Sequence, residues 1–204
     1  MPILIIVMIF LRVTGEGEIF FSQDRLGING NYFKLLKFAT MKKNSPNIGT
    51  GTVTIKNDPR ILPFGRFLRI TKINELPQLF NVIRGDMSLV GPRPLTNEAF
   101  SLYDDNVKTM LGKVRPGLSG VGSIIFRNEE NILDSNDSLD FFREVIMPYK
   151  GKLEVWFIQN RNIRIYFLTI FLTLYVVFFS NPKIVWSLFN NLPEPPSELK
   201  KLIY

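Results

Sequence analysis

The sequence predicts an α/β fold of the α+β kind: a small soluble domain of short strands and helices, with membrane-associated apolar segments at its ends. The 204 residues suffice for one domain with a sizeable core. Short runs rich in aromatic residues come first, and apolar residues at three- and four-residue spacing take over from Pro63. Apolar segments without charges lie near both ends, and they predict contact with a membrane.

The first apolar segment covers residues 1–11 and ends before Arg12. As a helix it would measure about 16 Å, whereas a bilayer core is ~30 Å thick, so it cannot span a membrane. It also lacks the basic start and the cleavage site of a signal peptide. We expect this segment to dip into a membrane, with a buried strand or helix as the alternative.

A hairpin of two strands is predicted near the start of the domain. Residues 19–23 and 32–38 are rich in aromatic and aliphatic side chains, and glycines within 27–30 supply the turn between them. A loop follows, and 52–56 alternates as a short third strand would.

Helices are predicted from Pro63 onward. Pro77 is tolerated only near the first turn of a helix, so a new helix should begin near Asn74, with Asn74 as its N-cap. Gly85 should end that helix.

The second half of the domain shows further helical and strand patterns. Residues 88–94 predict an irregular loop, 96–113 a helix opened by its threonine, and 115–117 a turn. The apolar run at 122–126 predicts a strand, and 139–146 a further helix.

The second apolar segment, residues 165–179, follows Arg161 and Arg164. It too is short for a membrane span, and its flanking arginines and aromatic residues suit an element that lies at a membrane interface. A buried core helix or strand is the alternative. The proline-rich tail at 193–204 is expected to be exposed.

Composition limits the chemistry that the protein can perform. The net charge of +7 and the pI near 9.7 predict an anionic partner: nucleic acid, a phosphorylated substrate or an acidic membrane surface. The absence of cysteine and histidine excludes thiol nucleophiles, thiolate metal sites and imidazole bases. Catalysis must use carboxylates, Lys, Arg, Tyr or hydroxyls, and any metal should be oxygen-bound and similar to Mg²⁺.

One block of sequence is the most informative. Residues 73–79 read INELPQL and residues 85–94 read GDMSLVGPRP. The block closely resembles the signature of the bacterial sugar transferases, the monotopic polyprenol-phosphate phosphoglycosyl transferases. In that family the first part usually reads Asp-Glu-Leu-Pro-Gln-Leu and holds a catalytic Asp-Glu pair, so Asn74 stands where the family has its aspartate and Glu75 matches the glutamate.

The resemblance implies transfer of a phosphosugar from a UDP-sugar to polyprenyl (undecaprenyl) phosphate, releasing UMP, as the initiating step of bacterial surface polysaccharide or glycoconjugate synthesis. It implies Mg²⁺ as cofactor and a monotopic location in inner-membrane lipid at the cytoplasmic face. The corresponding division of the chain is a remnant of a re-entrant membrane helix at 1–12, a catalytic domain at 13–162, a membrane-interface segment at 163–192 and the exposed tail at 193–204.

The resemblance also suggests roles for single residues. Glu75 is the candidate catalytic residue and metal ligand. The amide of Asn74 is too weak a nucleophile to replace an aspartate. Glu75 could therefore act as the nucleophile, polyprenyl phosphate could attack directly while Asn74 donates hydrogen bonds to a phosphate, or turnover could be lost. We expect retained activity.

Four cations are candidates for binding substrate phosphates, and an acidic loop is a further candidate. Arg93 is fixed between two prolines, which favours bidentate contact with phosphate. Lys37 lies in KFATM, where the family has KFRTM, so Ala39 removes one cation. The loop at 126–130 resembles an acidic loop of one branch of the family, which would place it near the sugar or the nucleotide. The alternative is an exposed charged loop without a role in binding. The four cations are Lys37, Arg69, Arg93 and Arg115.

Two alternatives differ in class from an active enzyme. A catalytically weakened homologue that binds lipid phosphate or nucleotide sugar as a partner protein would explain Asn74 and Ala39. A nucleic-acid-binding protein would explain the charge, but the chain has no recognition motif for it, so we expect no nucleic-acid partner. A homodimer is compatible with both the active enzyme and the binding homologue.

Overall fold

The computed structural model of the protein describes residues 2–51, 53–133, 138–179 and 181–203. These parts of the chain combine many helices with two small two-stranded sheets, so the predicted mixture of short strands and helices is confirmed. The helices and strands, in chain order, are α1 Pro2–Thr14, β1 Phe20–Leu26, β2 Tyr32–Phe38, α2 Pro63–Ile70, α3 Gln78–Arg84, β3 Ser88–Val90, α4 Asn97–Ser101, α5 Asp105–Gly112, β4 Gly117–Ser119, α6 Val121–Ile125, α7 Glu129–Ile132, α8 Ser138–Phe141, α9 Met147–Asn160, α10 Ile163–Phe179, α11 Ile184–Leu188 and α12 Ser197–Ile203.

β1 and β2 form the predicted antiparallel hairpin, in which Phe20 lies opposite Phe38. Asn29 and Gly30 have positive φ in the connecting turn, a conformation that asparagine and glycine adopt at low cost. Phe38 is buried, which anchors the end of β2 and with it the neighbouring Lys37.

The strand predicted at 52–56 is wrong where the chain is described. Residues 53–56 form no strand, and Thr52 lies outside the described residues. Arg60 donates from its guanidinium to the carbonyl oxygens of Gly51 at 2.7 Å and Val53 at 2.8 Å. These bonds hold the segment as a loop around the guanidinium rather than as a partner in a sheet.

Asn74 is not the N-cap of a helix, contrary to the prediction. It lies inside a 3-10 turn at Ile73–Glu75, and Pro77 immediately precedes α3. The turn follows Lys72, whose φ of 59° is left-handed. Such a residue changes the chain direction, so α3 begins only after the turn. Gly85, with φ of 84°, ends α3 as predicted.

The irregular loop predicted at 88–94 is wrong over its first three residues. Ser88 pairs with Gly117 in the parallel β3–β4 sheet, and strands this short leave no periodic pattern in the sequence. The two chains approach closely, because a Cβ on Gly117 would lie 2.1 Å from the Gly91 nitrogen.

Two further predictions need correction in the second half of the domain. The helix predicted at 96–113 is two helices: Thr96 caps α4 as predicted, but Asp104 caps a separate α5 through its own side chain. The strand predicted at 122–126 is the helix α6, whose apolar residues are buried. A short apolar run that is buried on all sides does not distinguish a strand from a helix.

The main core lies between α6, α9, α10 and the end of the chain. The helix predicted at 139–146 is confirmed as α8 and a π-helical turn, Phe142–Ile146, which continues into α9. The prediction of an exposed tail is wrong at Leu199 and Ile203, which α12 buries in the core while it keeps its lysines outside.

The apolar helices near the two ends each bury one side and expose the other. α1 packs Val7 and Leu11 inward, and α10 packs Leu172 and Val176 inward. Among the described residues, none of the helices has the length and apolar character to cross a membrane, and membrane contact stays a prediction. The exposed apolar side chains include Ile5, Ile6, Ile9, Phe10 and Val13 on α1, and Phe167, Phe171, Leu174, Phe178 and Phe179 on α10.

Candidate active site

A cavity of about 780 Å³ opens between the end of the hairpin, the Ile73–Glu75 turn, the segment after β3, and helices α6, α7 and α9. Most of the side chains singled out in the sequence line it, although they come from elements far apart in the chain. Those brought together are Lys37, Arg69, Asn74, Glu75 and Arg93.

Glu75 lies at the centre of the charged part of the cavity. Its Oε1 is 3.5 Å from the Lys37 Nζ and 3.4 Å from an Arg93 guanidinium nitrogen. Burial alone would raise the pKa of Glu75, but the positive charges of Lys37, Arg93 and Lys72 outweigh it and hold this pKa well below its usual range. Glu75 is therefore an ionised carboxylate among cations.

The cations around Glu75 are themselves partly desolvated. Burial lowers the pKa of Lys37 to about 7, although the charge of Glu75 opposes the shift. Burial likewise lowers the pKa of Arg25 to about 10 and lowers that of Lys72. Because one carboxylate faces several cations, the cavity suits a ligand with more than one negative charge.

Arg93 is held in place from several directions. Pro92 and Pro94 restrict the backbone on either side of it, and the Pro94 carbonyl accepts a hydrogen bond from Arg25 at 3.2 Å. The charge of Glu75 raises the pKa of Arg93. A guanidinium fixed in this way presents a fork that matches two oxygens of a phosphate.

Asn74 is 5% exposed, and its side-chain oxygen is buried without a hydrogen-bond partner in the described part of the chain. Five other cavity-lining residues have such an unpaired buried atom: Arg25, Arg69, Ser123, Arg127 and Glu154. Buried polar atoms are nearly always paired. Their concentration around one cavity indicates that a polar ligand completes their hydrogen bonds.

Asn81 fixes the distance between β2 and α3. Its side chain is fully buried, accepts from the Leu36 nitrogen at 3.1 Å and donates to the Lys34 carbonyl at 2.8 Å. It also donates to Asp86 at 3.1 Å, which ties the segment after α3 to the same side chain. These bonds hold the strand that carries Lys37 against the helix that follows Glu75.

Arg60 organises the loop that forms one rim of the cavity. Its guanidinium pairs with Asp58 and donates to four backbone carbonyls and to the Thr50 hydroxyl. Both side chains of the pair are almost fully buried. Asp58 and Arg60 therefore have a structural role in this loop.

The family of bacterial sugar transferases matches the chain over residues 1–180. The chain belongs to this family. It is 37% identical over 142 residues to the exopolysaccharide production protein ExoY of Sinorhizobium fredii, with coverage of 63% of this chain and 62% of the relative. It is 39% identical over 186 residues to the galactosyl transferase CpsE of Streptococcus agalactiae, with coverage of 84% and 38%. It is 34% identical over 174 residues to the UDP-glucose:undecaprenyl-phosphate glucose-1-phosphate transferase of Escherichia coli, with coverage of 83% and 36%. The chain thus spans less than two thirds of the length of each of these relatives.

Arg115 is the one predicted site residue of this sugar transferase that lies elsewhere. Its side chain is exposed and does not line the cavity described above, while its backbone oxygen packs against Gly91. Its role in phosphate binding stays a prediction. Arg69 lines the cavity, and it pairs there with Glu130 at 3.2 Å.

Several lining residues were missed by sequence reasoning. Lys72 directly precedes the family block at 73–79, and this position could have identified it as a residue near Glu75. Arg25 sits in an alternating strand without a motif. Ser123 and Glu154 could not be found, because α6 was predicted as a strand and the segment of α9 carries no signature.

Proposed function

We propose that the protein transfers a phosphosugar from a UDP-sugar to polyprenyl phosphate and releases UMP. The observation that carries this proposal is the contact of both Lys37 and Arg93 with one oxygen of the ionised Glu75, whose side chain is only 15% exposed. The surrounding cavity, about 780 Å³, has the size of a small-molecule site. Its positive balance suits the diphosphate of a nucleotide sugar.

The names of the relatives support the choice of substrates. The Escherichia coli relative is named for UDP-glucose and undecaprenyl phosphate, and the Streptococcus agalactiae relative for galactosyl transfer. ExoY is named for exopolysaccharide production. These names favour a UDP-sugar donor, a polyprenyl phosphate acceptor and a role in making a surface polysaccharide.

Direct attack by the acceptor is the step that we propose. An oxygen of polyprenyl phosphate forms a bond to the β-phosphorus of the UDP-sugar, and the bond from that phosphorus to the bridging oxygen breaks. The bridging oxygen leaves with UMP, and the phosphosugar remains on the lipid. Lys37 and Arg93 stabilise charge on the phosphate oxygens, and the Asn74 amide donates a hydrogen bond to one of them. We prefer this step to attack by Glu75, because we assign Glu75 to holding the metal ion.

We propose Mg²⁺ as the cofactor. Among the described residues, no cluster of three or more acidic, His or Cys side chains could hold a metal ion by itself. The donor chemistry fits an ion held jointly by protein and substrate: Glu75 would supply a carboxylate oxygen, and the substrate's diphosphate would supply further oxygens. Such an ion would neutralise charge on the transferred phosphate.

We also propose that the protein lies on the cytoplasmic face of a bacterial inner membrane. Arg127 donates to the carbonyl oxygens of Ile70 at 3.0 Å and Val177 at 3.3 Å, which brings the ends of α2 and α10 together. The rings of Phe10 and Phe64 are 5.4 Å apart, which joins α1 to α2. The exposed apolar side chains of these three helices would enter the lipid, and the basic balance suits an anionic leaflet.

The deciding experiment is a UMP-release assay with UDP-glucose, UDP-galactose and further UDP-sugars. Each is tested with and without undecaprenyl phosphate, and in Mg²⁺ or EDTA. We expect UMP only when the lipid, Mg²⁺ and one accepted sugar nucleotide are present together. Lack of UMP with every sugar nucleotide would reject the proposed function. Protease accessibility in vesicles tests the location, which requires both ends of the chain on one side.

A further inference from the structure

Glu154 on α9 is a buried acid that the proposed reaction does not use. It is 4% exposed and lines the cavity, and its Oε2 is buried without a hydrogen-bond partner among the described residues. Its Oε1 packs over Gly122, where an added Cβ would lie only 2.6 Å away. One carboxylate oxygen is therefore left for a ligand in the cavity.

Ser123 provides a second unpaired group in the lining of the same cavity. Its hydroxyl is buried, has no partner in the described part of the chain, and lines the same cavity one residue after Gly122. A carboxylate oxygen accepts hydrogen bonds, whereas a serine hydroxyl both donates and accepts. The two groups together match a ligand hydroxyl, which also donates and accepts.

The position of Glu154 relative to the charged part of the cavity limits what this hydroxyl belongs to. The Arg93 backbone N–H lies against the Glu154 carboxylate, while the Arg93 guanidinium reaches Glu75. Glu154 is thus about one arginine side chain away from the phosphate-binding cations. An ionised phosphate there would offer no donor to the unpaired carboxylate oxygen. In a nucleotide sugar, the hydroxyl groups of the sugar lie within about one ring width of the β-phosphate. This separation is comparable to the length of the Arg93 side chain.

We propose that Glu154 and Ser123 form a subsite that binds a hydroxyl group of the sugar in the nucleotide-sugar substrate. This inference rests on the proposed function and adds the residues that determine its sugar specificity. A site that pairs with a hydroxyl discriminates strongly against an analogue that lacks or misplaces that hydroxyl, because its own buried polar groups are then left unpaired.

The test compares binding of UDP with binding of UDP-glucose and UDP-galactose by calorimetry, using the full chain in detergent. In Glu154→Gln we expect the affinity for the preferred UDP-sugar to fall about tenfold, while the affinity for UDP does not fall. Ser123→Ala should cost about threefold in the same selective way. The control is Glu144→Gln, since Glu144 is exposed, lies just before α9 and is outside the cavity lining.

A second variant displaces the Glu154 carboxylate without replacing Glu154 itself. Gly122→Ala should push the Glu154 carboxylate aside and reproduce the selective loss, with thermal unfolding used to verify that each variant is folded. Equal losses for UDP and UDP-sugar would overturn the subsite, because Glu154 would then only position Arg93. Unchanged binding of the UDP-sugar in Glu154→Gln would also overturn it. A wild-type chain that binds no UDP-sugar and releases no UMP would reject the proposed function itself, and the subsite with it.

Discussion

Arg93 and Glu75 form an ion pair across the cavity, with a guanidinium nitrogen 3.4 Å from Oε1. They are 18 residues apart in the chain, and Lys37 reaches the same oxygen from the hairpin. A diphosphate that enters the cavity must compete with Glu75 for these two cations. Under the proposed function, binding would therefore exchange one anion for another and would leave the carboxylate available to a metal ion.

The first prediction concerns the fork of Arg93. Arg93→Lys should lower kcat/KM for UMP release about tenfold or more, because an ammonium cannot contact two phosphate oxygens at once. Arg84→Lys is the control, since Arg84 is exposed and lies outside the cavity lining. An equal loss in the control would contradict a specific role for the guanidinium of Arg93.

Glu75 and Mg²⁺ should be required together. Glu75→Gln removes the charge that attracts the ion, so we expect UMP release to fall about a hundredfold or more and its dependence on Mg²⁺ concentration to weaken. The measurement is a Mg²⁺ titration of both proteins. An unaltered titration and rate would mean that Glu75 is not the metal ligand.

A third prediction addresses Asn74. Asn74→Asp should change turnover little or lower it, because a second carboxylate beside Glu75 would repel the phosphates and raise a neighbouring pKa. UMP release and mass spectrometry of the trapped protein measure the outcome. A large gain of activity with a phosphosugar adduct at position 74 would instead favour the weakened binding homologue as the natural state.

The pKa of Lys37, about 7, predicts a pH dependence of nucleotide binding. Lys37 loses its proton as the pH rises through that value, so UDP should bind more weakly at pH 9 than at pH 6. Lys37→Arg keeps its charge and should remove this part of the decline. Burial raises the pKa of Glu154 to about 7 as well, so both proteins are compared in a Glu154→Gln background. Parallel pH profiles would contradict the assignment.

Arg60 should be important for stability rather than for chemistry. Arg60→Met leaves Asp58 buried without its partner, so we expect a loss of about 3–5 kcal/mol in the free energy of unfolding. Asp24→Asn, which breaks an exposed pair with Lys34, should cost under ~1 kcal/mol. Denaturant unfolding measures both. Equal effects would contradict the assigned role of Arg60.

The same pair predicts how stability changes in acid. Burial would raise the pKa of Asp58, but the hydrogen bonds and charge of Arg60 hold it below its usual value. A lowered folded-state pKa gives stability that is complete above the unfolded value of about 3.9 and is lost as the pH falls through the folded value. The wild type should therefore lose this contribution below about pH 4, whereas Arg60→Met should lack it at neutral pH.

Local patterns predicted the features that depend on neighbouring residues. The hairpin, the start of α2, the stop at Gly85 and the cap at Thr96 all follow from side chains a few positions apart. The family block identified Glu75 and Arg93 as residues of one cavity, because the resemblance carries information on contacts that periodicity does not.

The incorrect predictions depend on distant partners. β3 exists only because β4 pairs with it from the far side of two helices, and α6 is helical where its apolar run allowed a strand. Asn74 was placed at a helix start because nothing local reveals the left-handed Lys72 before it. Glu154 becomes a candidate only once α9 packs beside Gly122.

The loop held by Arg60 has a further consequence for ligand binding. Its residues Ser45, Thr50 and Gly51 line the cavity. Without any ligand, the Arg60 guanidinium holds the backbone carbonyls of Ser45 and Gly51 and the side-chain hydroxyl of Thr50. A loop that is already ordered loses little conformational entropy when a substrate arrives. The substrate's interaction energy is then not spent on ordering this rim, so even a small nucleotide fragment should bind measurably to it.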